Sequence, residues 1–210
     1  MPFWNQLFGQ QVWKSASCYL VCTTGASSLY ATKQGIARWE NNNTANTHVI
    51  LNNPNQAVFP GGSARVVQPP PFVALNLDVQ QVAVAEFFEE TGIQIVPIVN
   101  NQFQLRNAVN VVATAGRTTY YHGQGFHAMI LWFNAEQDLY NIAAAINWNI
   151  HSDNNRYAGA NPAPAGGYIR PDDELALVTL ANHTTVNWQQ LFGTPNQSWF
   201  LEIFDDAVNM

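Results

Sequence analysis

Two kinds of side chain in this sequence can supply nucleophilic chemistry if the fold brings them together, a thiol and an imidazole. The cysteines are Cys18 and Cys22, and the histidines are His48, His122, His127, His151 and His183. The thiolate attacks a carbonyl, and its pKa falls from about 8.5 into the range of roughly 3.5–7.5 at a helix N-terminus or beside an imidazole. Ser15 and Ser17 read as caps of a mostly buried helix ending near Gly35. That helix would hold Cys18 in its first turn and Cys22 one turn further in, where its dipole helps less. Cys18 is therefore the candidate nucleophile and Cys22 a packed core residue. Four apart on a helix, the two would strain a disulfide, and no His pair stands near them in sequence to make a zinc site.

The imidazole has to come from elsewhere. His127 heads an apolar run, Ala128-Met129-Ile130-Leu131-Trp132, and a His that starts a buried strand can be held with one ring nitrogen facing a cleft. A third group on the other nitrogen would fix its tautomer, and Asn147 or Asn149 at the end of the next expected strand can reach that place. His122, His127 and His151 also form a possible metal set, but no acidic residue or further His falls at a helpful spacing, so no metal or cofactor is expected.

Gln11, Ser17-Cys18-Tyr19, His127-Ala128-Met129-Ile130 and Asn147-Trp148 occur in an order that resembles the papain-like cysteine peptidases, including their secreted and effector branches. The resemblance implies Cys18 as nucleophile and His127 as general base and then acid. It implies Asn147 as orienter and Gln11 as oxyanion donor, with Gln10 competing for that last role. It implies a papain-like α+β fold, with an N-terminal helical part whose central helix bears the Cys and a C-terminal antiparallel sheet. The expected activity is a thiol hydrolase, a peptidase or side-chain amidase, acting on a protein or peptide.

The elements that would position these residues follow from local pattern. Asp78 can cap a helix running to Thr91 with Gly92 past its end. Residues 94–99 read as a strand, 102–115 as a helix, and 117–121, 126–133 and 139–148 as consecutive antiparallel strands. Residues 48–51 and 174–180 also read as strands, and 187–192 and 199–208 as short helices. The Pro-, Gly- and Asn-rich stretch 52–71 reads as a surface connection within one domain and the best place for a subdomain split. Asp172-Asp173-Glu174 reads as a solvated turn, and the glycosylation-type triplets at Asn42, Asn182 and Asn196 are near the number chance gives so Asn-rich a chain.

Charged residues are only 10% of the chain, well under the roughly 25% of an average domain, and the net charge is −6. The eight cations are scattered, which argues against nucleic-acid partners. No apolar run approaches the ~20 residues of a membrane helix, and the N-terminus lacks the features of a signal peptide. A neutral, amide- and aromatic-rich surface leans toward a secreted or injected protein. The competing reading is a secreted, non-enzymatic binding protein, lectin-like or a pore-related toxin, whose Trp, Tyr and amide side chains would contact sugars or a receptor.

Overall fold

The structure is a computed structural model, and it describes residues 17–41, 44–50, 54–63, 79–107, 110–123, 125–156, 174–192 and 198–209. In chain order the first strands are β1 (Ser17–Thr23), β2 (Ser27–Lys33), β3 (Ile36–Asn41), β4 (Thr44–Ile50), β5 (Ala57–Val58) and β6 (Gly61–Ser63). Then come helix α1 (Val79–Thr91) and strands β7 (Gln94–Pro97), β8 (Phe103–Asn107), β9 (Asn110–Ala115), β10 (Arg117–His122) and β11 (Phe126–Trp132). Helix α2 (Glu136–Arg156), strand β12 (Leu175–Asn182) and helices α3 (Trp188–Phe192) and α4 (Ser198–Asn209) complete the described elements.

The central sheet has the order β10-β11-β1-β2-β12, with β5 paired to β2 and β6 to β1. Strands β1 and β11 run parallel, so a long crossover must join them. Strands β1 and β2 form a hairpin that splays. They pair only at Thr23↔Ser28, while Ser17 to Tyr19 of β1 pair with β6 and Ala31 and Thr32 of β2 pair with β5. The β5–β6 segment thus enters a wedge between the two hairpin strands. Residues 52–71, expected as a surface connection, contribute these two strands to the central sheet.

Helices cover both faces of the sheet, which explains why β1 reads as a continuous apolar run rather than an alternating one. Cys18, Leu20, Cys22, Met129 and Leu131 pack with Ala83 and Phe87 of α1, Leu139, Ile142 and Ile146 of α2, and Leu105 and Ala113 of a small sheet, β7-β8-β9. Tyr19, Val21, Ala128 and Ile130 face the other way, onto Phe59, Trp188 and Phe192 of α3, and Phe200 and Ile203 of α4.

This architecture overturns the papain-like fold. Cys18 lies on a strand in the middle of a mixed sheet, and the segment expected as its helix is the β1–β2 hairpin, turning at Gly25 with φ of 84°. Two further expectations are corrected. Residues 102–115 are strands β8 and β9, and residues 139–148 lie inside helix α2. No helix among the described residues is long and apolar enough to cross a membrane.

Candidate functional site

The residues singled out in the sequence come together only in part. Cys18 and His127 are direct partners in the β1–β11 register, so their side chains leave the sheet on the same face from strands roughly 4.8 Å apart. Cys18 is completely buried and His127 is 6% exposed. Burial lowers the pKa of His127, helped by the neighbouring charge of His122, so the ring stays neutral at neutral pH. Burial alone pushes the Cys22 thiol far up.

Asn147 does not reach His127. Its Nδ2 donates to the carbonyl of Val178 at 2.8 Å, and its Oδ1 accepts from the Val178 amide at 2.7 Å. That pair of bonds holds β12, at the far end of the sheet and three strands from β11. The alternative Asn149 is fully buried and donates to the Thr91 carbonyl at 2.9 Å. Gln10 and Gln11 lie outside the described residues.

A different constellation gathers at the wedge. Helix α1 ends Glu86-Phe87-Phe88-Glu89-Glu90-Thr91, and Gly92, with φ of 69°, closes it by donating to the Phe88 carbonyl at 2.8 Å. Phe87 anchors the helix in the core, and this orients Glu86 and Glu90 toward β6. The amide of Gly61 donates to Glu90 Oε2 at 2.8 Å, and the carboxylate of Glu86 lies where a side chain at Gly62 would have to go. Gly61 itself has φ of 148° and its Cα faces the Cys18 carbonyl too closely for any Cβ. Two glycines at this point are therefore what lets a strand and two carboxylates share the space.

Glu90 is only 5% exposed, Glu86 is half-buried and Glu89 is exposed. They occupy the C-terminal turns of α1, the negative end of its dipole, and no basic residue stands in the last turn. Carboxylates placed against the dipole break a local stability rule, and such breaks concentrate at functional sites.

Glu90 and Gly61 line a cleft of about 660 Å³, counted with its open mouth, on the Tyr19 side of the sheet. Tyr19, Phe59, Trp199 and Phe200 form an aromatic wall, and Lys33, Gln56 and Glu174 supply polar groups. Tyr19 meets Phe200 edge-on at 4.9 Å between centroids, and burial raises the pKa of its phenol.

No group of three or more His, Cys, Asp or Glu among the described residues is disposed to hold a metal ion unaided. Magnesium does not require one, since it is commonly held by one or two carboxylates together with water and the phosphates of a substrate. Glu86 and Glu90 on the Gly61–Gly62 cradle have the hard oxygen donors for that kind of site. The sequence reading passed over these residues, although three carboxylates in five positions are conspicuous in a chain with 14 acidic residues in all.

No protein-family model matches the sequence, and no curated protein is significantly similar to it. Among solved structures, the chain is similar to a Nudix hydrolase from Nitrosomonas europaea, at 10% identity over 92% of this chain and 89% of that one, with a TM-score of 0.37. A likeness of that size fixes neither fold nor activity.

Proposed function

We propose that the chain is a metal-assisted hydrolase of a phosphate ester or anhydride, with its centre at Glu86 and Glu90 and its substrate in the adjoining cleft. One observation carries this reading: a nearly buried carboxylate, Glu90, and its neighbour Glu86 are set against a side-chain-free backbone at the edge of an aromatic cleft. A divalent cation held there would polarise a phosphoryl oxygen and offset the charge that builds on it. The chain's own groups supply the rest. Lys33 draws a phosphate into the cleft, Glu174 offers a further carboxylate able to take a proton from water, and the aromatic wall excludes solvent around the bound molecule.

The test is release of phosphate or pyrophosphate from a panel of phosphorylated small molecules, with Mg²⁺ or Mn²⁺ and with chelator. We expect release that needs the cation and that falls at least about 10–100-fold in Glu90→Gln and Glu86→Gln, with the fold intact by circular dichroism. Activity indifferent to chelator and to both variants would end this reading.

A second reading, a thiol hydrolase of peptide or side-chain amide bonds, is favoured by the Cys18↔His127 register. It needs Cys18 to reach substrate by local opening, because the residue is completely buried. Iodoacetamide at mildly acidic pH separates the two. Fast labelling of Cys18 in the folded chain, lost in His127→Ala, favours the thiol, and labelling only on unfolding favours the carboxylate site.

A further inference from the structure

We propose that His122 and His127 form a binding site for a divalent transition ion, zinc above all, independent of the carboxylate centre. The two residues stand directly opposite each other at the end of the β10–β11 hairpin, and their Nδ1 atoms lie 3.2 Å apart. Zinc–imidazole bonds of about 2.0–2.1 Å would place one ion on both nitrogens with an angle of roughly 100°, close to tetrahedral. Facing Nδ1 atoms share one proton when no ion is bound, and an ion takes that proton's place.

The hairpin sets the spacing in advance. Gly123 donates to the Phe126 carbonyl at 2.9 Å, a Cβ at Gly123 would meet the Phe126 ring at 2.6 Å, and Gly125 has φ of 87°. The connection thus uses glycine where a side chain would clash or the backbone is left-handed, and the register His122↔His127 follows. The rings meet edge to face with centroids 5.2 Å apart. His127 is nearly buried and fixed by its strand, whereas His122 is exposed on β10 at the end of the sheet order, so an ion can enter from solvent and keep water on its open positions. Cys18 follows His127 in the same cross-strand row, but no three-ligand group forms among the described residues, so the site is a two-imidazole one.

The experiment is a competition titration of untagged chain with Zn²⁺ against a chromophoric chelator, near neutral pH and again at about pH 5.5, where imidazoles take up protons. One ion should bind per chain, with affinity falling at least about tenfold in His122→Ala and on acidification. Because His122 is exposed, its alanine variant keeps the fold, and shifts of the His122 and His127 ring resonances on adding Zn²⁺ give a second readout. Wild-type affinity in His122→Ala overturns the proposal, as does the lack of a saturable site in the unaltered chain. The double variant Glu86→Gln/Glu90→Gln should bind Zn²⁺ as the parent does. If binding disappears there instead, the ion belongs to the carboxylates and the histidine site is refuted, whatever the fate of the hydrolase reading.

Discussion

A thiol's surroundings decide whether it reacts, and both cysteines here lie on a strand covered on both faces. Cys22 is 2% exposed and its ionisation is strongly opposed by burial. It should resist alkylation in native protein and label only as urea unfolds the chain, which mass mapping across a urea series would check. Native labelling at Cys22 would contradict this. At the residue scale, the sequence disclosed types but not partners. The pairing of Cys18 with His127 was read from a His at the head of an apolar run and from the resemblance, and nothing in a separation of more than a hundred positions encodes it. Glu86, Glu89 and Glu90 did carry a readable signal, since the reading already closed a helix at Thr91 and Gly92, which makes these acids its unfavourable end.

Many elements with one face toward solvent were legible, and β11, buried from His127 to Trp132, was read from its aromatic and branched residues instead. Helix α1, β7, β10, β11, β12, α3 and α4 stand close to the expected spans. The failures have physical causes. Cys18 to Thr23 are all buried, so β1 shows no period, and a short apolar run of that kind fits a helix or a strand equally well. In α2 the buried set Leu139, Ile142, Ala143, Ile146 and Ile150 repeats at helical spacing, and the aromatic and branched content of the segment outweighed that repeat in the reading. In β8 and β9 the alternation of Phe103 with Leu105 and of Ala113 with Ala115 is the signal that was missed. Asn147 belongs to this scale. Its amide imitates a neighbouring strand for Val178 on β12, satisfying one donor and one acceptor at once. Asn147→Ala should lower stability by about 1–3 kcal/mol through those two groups, measurable by urea unfolding, with little effect on any activity at α1. An unchanged midpoint would show that water replaces the amide without loss.

For the whole molecule, acid should be destabilising through two histidines. The folded-state pKa of His183 is lowered by burial, which outweighs its bond to the Gly25 carbonyl, and that of His127 is lowered by burial and by His122. Both rings sit in built surroundings, His183 with Ser28 Oγ at 2.8 Å from Nε2 and the Gly25 carbonyl 3.0 Å from Nδ1. With both values depressed, the unfolded chain binds more protons below its ordinary His pKa of about 6.5, so stability present above that pH is lost as pH falls toward the folded values. Asp206, raised by burial, acts in the opposite sense and only in the carboxylate range. Thermal unfolding should therefore give a midpoint that drops below about pH 6.5, with a shallower drop in His183→Gln. A midpoint flat across that range would refute the assignment. The net charge of −6 bears on function at the same scale, because an acidic chain repels phosphorylated molecules unless a cation stands between them.

Strand β1 has one further consequence. Cys18 and Tyr19 are successive residues on opposite faces, so the floor of the aromatic cleft and the sealed thiol are back to back on a single peptide unit. Trimming or enlarging the buried sulfur side chain will tilt the phenol behind it. A weaker grip on substrate after Cys18→Ala, with cation dependence and turnover unaltered, would then report leverage through the backbone and say nothing about sulfur as a reagent.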